Sequence, residues 1–151
     1  STSALKLDVG AMFTRLDADI AERKKEAAKR FAAKRKSLLA QQKRERAGLK
    51  QLQKRRMDAQ DRVRAARFRS GFGGLWDRVR GENRRIQIQN EHEAYAQLCH
   101  DVAERDALVF KHLNQRQRIE IYKLRHAQVA RSMSRNIRHE HDQFLSRNPE
   151  H

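Results

Sequence analysis

The sequence contains little of what an ordinary globular domain contains. Of its 151 residues, one is cysteine, one is proline and six are glycine, and aromatic residues make up 6%. The single cysteine, Cys99, excludes an intramolecular disulfide scaffold. No run of about 18 apolar residues is present, so we expect no membrane insertion. Acidic residues are also scarce in the first half, where residues 1–70 carry 8 Asp and Glu against 21 Lys and Arg.

Charge and helix-forming residues dominate what remains. The net charge is +16, charged residues make up 36% and the mean hydropathy is −1.01. High charge with low hydrophobicity is also typical of disordered chains. Residues 16–68, however, contain no proline and one glycine, and consist mostly of Ala, Lys, Arg, Gln, Glu and Leu, which favour helix. We therefore expect an elongated helical assembly.

Apolar residues recur at steps of three, four and seven, which predicts two helices with a packing stripe each. The stripe lapses near Arg23, Gln42 and Arg56, where polar residues occupy expected core positions. The first stripe consists of Val9, Phe13, Leu16, Ile20, Ala27, Phe31, Leu38, Leu49, Leu52, Ala59, Val63 and Ala66. The second consists of Ile86, Ala94, Tyr95, Leu98, Val102, Val109, Leu113, Ile119, Tyr122, Met133, Ile137 and Phe144.

Two helices of similar length joined by a short connection should lie antiparallel. The predicted fold is all-α, a single module in which two long helices form a coiled-coil-like hairpin with a glycine- and tryptophan-containing tip. We place the helices at about 8–69 and 83–147, the tip at 70–82 and a tail at 148–151. This pairs Ala66 near Ile86 and Phe13 near Ile137. The predicted tip residues are Gly71, Phe72, Gly73, Gly74, Leu75, Trp76 and Gly81.

A two-helix hairpin has a small core for its size. We therefore expect either a homodimer that forms a four-helix section or a parent protein that supplies further contacts. A hairpin of this kind offers no preorganised concave site, so we predict no enzymatic activity. The glycine-rich stretch lacks the phosphate-binding spacings GxxxxGK[ST] and GxGxxG, and the histidines lack the HExxH spacing. We predict no cofactor and no metal site.

The first helix carries the strongest functional signal. Residues 23–69 hold 19 Lys and Arg but 4 Asp and Glu. A solvated coiled-coil face would instead mix both signs in i,i+4 pairs. The excess favours a polyanionic partner bound through phosphates, without base reading. The predicted nucleic-acid-binding residues are Arg23, Lys24, Lys25, Lys29, Arg30, Lys34, Arg35, Lys36, Lys43, Arg44, Arg46, Lys54, Arg55, Arg56, Arg62, Arg64, Arg67 and Arg69.

The segment GLWDRVRG followed by NEHEA resembles the C-terminal helical region of relaxase/mobilisation proteins from alphaproteobacterial plasmids. The resemblance covers roughly residues 60–125 and, more loosely, the rest. The family's nicking chemistry lies in an N-terminal domain that this sequence does not contain, and neither Tyr95 nor Tyr122 matches its nucleophile. The positions that carry the resemblance are Gly74, Leu75, Trp76, Asp77, Arg78, Gly81, Asn90, Glu91 and Glu93.

The resemblance implies a non-catalytic accessory module for conjugative transfer. Such a module binds DNA or is recognised by the coupling protein of a type IV secretion system. It would be found in the bacterial cytoplasm and could be translocated with the DNA. Two alternatives stay open: a protein-interaction adaptor that docks on an acidic surface, and a helical arm that binds RNA.

Overall fold

Two long α-helices make up the chain wherever it is described. The structure, a computed structural model, describes the backbone of residues 2–70 and 76–149 and the side chains of residues 2–68 and 80–149. Helix α1 is Thr2–Ser70 and helix α2 is Trp76–Arg147. Over these residues, neither helix has a stretch both long and apolar enough to cross a membrane. The Asn148 backbone N–H donates to the Phe144 carbonyl at 3.2 Å, which closes the last turn of α2.

Both helices begin earlier than the sequence predicts. Helix α1 begins at Thr2 rather than near Asp8, because the intervening Ala, Leu and Lys residues are themselves good helix formers. Helix α2 begins at Trp76 rather than near residue 83. The prediction that places Gly81 in the tip, before the second helix, is therefore wrong. Gly81 is an exposed interior residue of α2, where glycine costs about 1 kcal/mol relative to alanine, too little to break a helix flanked by strong formers.

The other predicted tip residues are not described in full. Gly71, Phe72, Gly73, Gly74 and Leu75 lie outside the described residues. The backbone of Trp76 begins α2, but its side chain lies outside the described part of the chain. The predicted capping role of this tryptophan therefore stays a prediction.

The two helices pack against each other as an antiparallel hairpin, which confirms the predicted fold class. The helix pair divides into unit 1, residues 1–39 with 115–151, and unit 2, residues 40–114. In unit 1, the ring of Phe13 stacks on His141 at 4.6 Å, one turn beyond the predicted neighbour Ile137. In unit 2, Gln42 hydrogen-bonds to His112 and Gln53 to Asp101. The residue number of the α2 partner therefore decreases as that of the α1 residue increases, as in an antiparallel pair.

Unit 1 has an apolar core with a seven-residue repeat. Phe13, Ile20 and Ala27 of α1 are buried, and they follow one another at steps of seven residues. Ala130 of α2 is also buried. The least exposed α2 positions recur at steps of three and four: 127, 130, 134, 137, 141, 144 and 148. A repeat of this length is shorter than two ideal helical turns and favours left-handed coiling of the pair.

Unit 2 is built differently, around polar residues with an eleven-residue repeat. Its buried residues are polar or charged: Gln42, Gln53, Asp101 and His112. Eleven residues make about 3.67 residues per turn over three turns, a repeat that favours right-handed coiling. We call the less exposed positions of this unit the polar seam. They are 42, 45, 49, 53, 56, 60, 64, 67 and 68 on α1 and 83, 86, 90, 93, 97, 101, 104, 108 and 112 on α2.

The predicted apolar stripe is therefore wrong for most of its residues in unit 2, and it holds at Leu49 and Ile86, which are half-buried. The other residues that it placed in the core face solvent, because the eleven-residue repeat turns a different side of each helix inward. These solvent-facing stripe residues are Leu52, Ala59, Val63, Ala66, Ala94, Tyr95, Leu98, Val102, Val109 and Leu113. In unit 1 the stripe is wrong at Leu16, Tyr122 and Met133, which are exposed as well.

Candidate nucleic-acid interface

Fourteen of the eighteen predicted nucleic-acid-binding residues are exposed on α1, and we call this set the basic face. Within the described ranges, no carboxylate lies within ion-pair distance of any of them. Lys50 is exposed in the same way and was missed by the sequence prediction. In unit 1 the set is Arg23, Lys24, Lys25, Lys29, Arg30, Lys34, Arg35 and Lys36; in unit 2 it is Lys43, Arg44, Arg46, Lys54, Arg55 and Arg62.

The basic face of unit 2 has a regular repeat. Lys43 and Arg44 follow a seam position by one and two residues, and so point about 100° and 200° away from it. Lys54 and Arg55 repeat this arrangement eleven residues later, which is about 16 Å along the helix. The same repeat that turns polar residues inward therefore turns these four cations outward.

Unit 1 adds cations that the sequence prediction missed. A groove of about 640 Å³ is lined by Lys24 of α1 and by Arg131, Arg135 and Arg138 of α2. These arginines are three and four residues apart, so they share one side of α2. That spacing was readable in the sequence, but it was overlooked because the second half of the chain has nearly balanced charge.

Three predicted residues belong to the polar seam instead of the basic face. Arg56, Arg64 and Arg67 are half-buried, and each pairs with a carboxylate of the chain itself. Their assignment to nucleic-acid binding is therefore wrong, because a guanidinium already held by a carboxylate is not free to neutralise a phosphate. The side chain of Arg69 lies outside the described residues.

Arg56 is the centre of the largest polar cluster. Its guanidinium donates to a Glu104 carboxylate oxygen and lies 3.9 Å from Asp101. Gln53 Nε2 donates to the Asp101 carbonyl at 2.9 Å and to Glu104 at 3.2 Å. The cluster thus pairs polar groups from both helices at the place where an apolar core would otherwise lie, but Arg56 Nε is buried there without a hydrogen-bond partner among the described residues.

Two further clusters extend the seam. Arg67 donates to Glu93 at 2.7 Å and to Asn90 at 3.0 Å, while Asn90 Nδ2 donates to the Arg64 carbonyl at 3.3 Å. The second cluster lies around His112, which is 2% exposed and whose Nε2 is 2.8 Å from a Glu45 carboxylate oxygen.

These contacts favour the charged forms of the seam groups. The hydrogen bond from Arg56, followed by that from Gln53, lowers the pKa of Glu104, and the hydrogen bond to Glu104 raises the pKa of Arg56. The hydrogen bond with His112 lowers the pKa of Glu45, and the hydrogen bond from Arg67 lowers the pKa of Glu93. The three carboxylates are thus stabilised as anions in the folded chain.

We expect acid to destabilise the polar seam. The folded-state pKa of Glu45, Glu93 and Glu104 lies below the ordinary value of 4.5. Their contribution to the free energy of unfolding is therefore complete above pH 4.5 and is lost as the pH falls through the lowered values. Urea unfolding can be followed by helical circular dichroism at several pH values between 7 and 2.5. The urea concentration at the midpoint should decrease once the pH falls below 4.5.

The E45Q/E93Q/E104Q variant is the matched comparison for this pH series. It removes the three titrating groups, so it should be less stable than the parent chain at pH 7 and should lose less stability on acidification. Equal losses of stability for the two proteins between pH 5 and pH 3 would contradict the assignment.

One group beside the seam has the residue types of a cation site. His100, Asp101 and Glu104 present ligand atoms that all lie within 4.8 Å of one another. The Arg56 guanidinium already occupies this position, since its Nη1 lies 3.4 Å from His100 Nδ1 and its Nη2 contacts Glu104. These three residues are therefore explained as the α2 side of the ion-pair cluster around Arg56.

Comparisons with other proteins give no relative from which a function could be transferred. The chain matches no family model, no curated protein and no solved structure. The resemblance to relaxases therefore stays a prediction that depends on residues 74–81 and 90–94.

Proposed function

We propose that this chain is a non-catalytic helical module that binds nucleic acid, duplex DNA foremost, through phosphate contacts made by the basic face of α1. One observation carries the proposal: fourteen predicted cations are exposed, and no described carboxylate pairs with them. Like charges on one helix repel each other, which destabilises the free chain. A polyanion that neutralises them removes this repulsion.

The division of charge within unit 2 supports the proposal further. The carboxylates Glu45, Glu93 and Glu104 lie in the polar seam, where they are held by Arg56, Arg67 and His112. These three acidic side chains are thus directed inward while the cations of the basic face point outward. A positive outer surface of this kind attracts phosphates and also speeds the encounter with them.

The basic face favours backbone contacts over base reading. No aromatic residue is interleaved with its cations between residues 32 and 66, so it lacks the platforms on which single-stranded bases stack. We therefore propose binding with little sequence preference. The resemblance suggests the setting, an accessory region of a bacterial mobilisation protein that holds plasmid DNA and is recognised by a secretion coupling protein during conjugative transfer.

A salt titration with the intact chain tests the binding mode. We expect affinity for a 30-base-pair duplex, measured by fluorescence anisotropy, to fall by about 10³-fold or more between 50 and 200 mM NaCl, as for a protein with six to ten phosphate contacts. Two unrelated duplex sequences should give the same curve. A flat salt response, or no binding at 50 mM NaCl, would refute the proposal.

The alternatives are distinguished in the same assay. Single-stranded DNA, structured RNA and an acidic polypeptide are added as competitors at equal total charge. Unlabelled duplex DNA, added as a fourth competitor, should compete best, and it should exceed single-stranded DNA because its charge density along the axis is higher. Stronger competition by RNA would favour the RNA-binding arm, and stronger competition by the polypeptide would favour an adaptor for an acidic protein surface.

A further inference from the structure

Unit 2 has an apolar surface that the hairpin itself leaves open. A groove of about 570 Å³ runs along one side of the helix pair. Its apolar lining consists of Leu49 and Met57 of α1 and of Leu108 and Val109 of α2. Its polar lining consists of Arg46, Lys50, Gln53, Lys54, Asp101 and Arg105. Because polar residues occupy most of the interior of this unit, most apolar side chains of α2, Val109 among them, lie outside the seam.

The apolar surface continues on α2 as a regular stripe. Leu98, Val102, Val109 and Leu113, which we call the α2 stripe, are all exposed, between 43% and 55%. They follow one another at steps of four, seven and four, which places them on one side of the helix. Val109 belongs both to the stripe and to the groove. A seven-residue repeat of this kind is the pattern by which helices pack against other helices.

The α2 stripe is self-complementary when read in opposite directions. Its spacing is symmetric about the point between Arg105 and Asp106, which lie at its centre. An antiparallel copy therefore places Leu98 opposite Leu113 of the second copy and Val102 opposite Val109. Contacts of this reciprocal type, in which residue i meets j and j meets i, define a two-fold symmetric interface.

We propose that a second copy of this chain packs on the α2 stripe, with its own α2 antiparallel to the first. The resulting two-fold axis passes between Arg105 and Asp106. The apolar wall formed by Leu49 and Met57 then flanks the helix of the second copy. The proposal does not depend on nucleic-acid binding, because no residue of the α2 stripe belongs to the basic face, although Arg46 and Lys54 of that face line the adjoining groove.

Charge on α2 selects the antiparallel direction. Arg105 and Asp106 are exposed, and neither has an ion-pair partner among the described residues. Across the proposed axis, each Arg105 meets Asp106 of the other copy, which gives two ion pairs. A parallel copy would bring Arg105 against Arg105.

Sedimentation equilibrium of the intact chain at 0.5 M NaCl, without nucleic acid, tests the dimer. High salt screens repulsion between the two positively charged copies and leaves apolar contacts intact. We expect a dimer, and we expect V102Q/V109Q to raise its dissociation constant by about 100-fold or more, since two central contacts are lost in each copy. A parent chain that is monomeric at 100 µM would overturn the proposal.

The matched control is L52Q/V63Q, which replaces two exposed apolar residues of α1 in the same unit. This variant should dimerise as the parent does. Helical circular dichroism confirms that both variants fold. Equal weakening of the dimer by the two variants would show that general surface polarity, and not the α2 stripe, determines association, and the proposal would then be wrong.

Cysteine cross-linking tests the direction of packing. In a C99S background, a mixture of L98C and L113C chains should form a disulfide-linked heterodimer on mild oxidation, because the proposed pairing brings these positions together. L98C alone should not cross-link. Cross-linking of L98C with itself, without the mixed product, would indicate a parallel pair and would overturn the proposal.

Discussion

Replacement of Lys43, Arg44, Lys54 and Arg55 by glutamine is expected to weaken duplex DNA binding by about 100- to 1,000-fold at 0.1 M salt. All four side chains are exposed on the outward side of α1 in unit 2, and none has a described carboxylate partner. Each phosphate that loses its cation no longer releases a counterion on binding. The slope of log affinity against log salt should therefore become shallower by about 3 to 4. Fluorescence anisotropy at four salt concentrations measures both quantities.

The fold should tolerate this variant, since glutamine forms helix almost as well as lysine and arginine. The matched control neutralises four exposed arginines of α2, as R84Q/R85Q/R118Q/R125Q. It lowers the net charge by the same amount, so a response to net charge alone would affect both variants equally. We expect less than a tenfold loss of affinity for the control. Similar losses for the two variants would show that DNA is not bound through the basic face.

Truncation of Ile20 to alanine should destabilise unit 1 by about 2 to 3 kcal/mol. Ile20 is 8% exposed and is one of few buried apolar side chains in this unit. The loss from a cavity there is a large fraction of the total stability, because the free energy of unfolding of a single domain is about 5 to 15 kcal/mol. Urea unfolding followed by circular dichroism gives the loss. Hydrogen exchange should place the lost protection within residues 2–39 and 115–149.

The control for this truncation is L124A, which removes the same number of carbon atoms from a side chain of unit 1 that is 59% exposed. Its free energy of unfolding should change by less than about 0.5 kcal/mol. If the two variants were equally stable, the seven-residue repeat of Phe13, Ile20 and Ala27 would not form the stabilising core of unit 1.

The sequence predicted the fold well where apolar residues determine the packing. The scarcity of glycine and proline predicted two long helices, and their similar lengths predicted the antiparallel hairpin. In unit 1 the steps of seven between Phe13, Ile20 and Ala27 predicted the buried side of α1. These inferences succeed because burial of apolar side chains is the dominant favourable term in helix packing.

The same reasoning failed in unit 2, where apolar residues are exposed and polar residues are buried. Tyr95, Leu98 and Val102 have the spacing of a core stripe but face solvent. The usable signal was a different one: glutamine recurs at 42 and 53, and arginine recurs at 56 and 67, both eleven residues apart. These polar residues at a constant spacing form a repeat of their own and are not lapses in an apolar stripe.

The exposure of the predicted cations was anticipated for fourteen of them, and two of the three half-buried exceptions share one cause. Composition places lysine and arginine at the surface, and this holds for the fourteen residues of the basic face. Arg56 and Arg67 are exceptions because Glu104 and Glu93 face them from α2. That pairing depends on how α1 and α2 align, which the sequence of either helix alone does not specify.

The polar clusters of unit 2 also determine which alignment of the two helices is stable. An apolar interface tolerates a slide of one helix past the other by a single turn, because one leucine packs much like the next. Here such a slide would separate Arg56 from Glu104 and Gln53 from the Asp101 carbonyl, leaving charged and polar groups desolvated without partners. The polar interface of unit 2 is thus less stabilising than an apolar one, but it permits a single alignment of α1 along α2. That alignment keeps the outward cations at fixed positions.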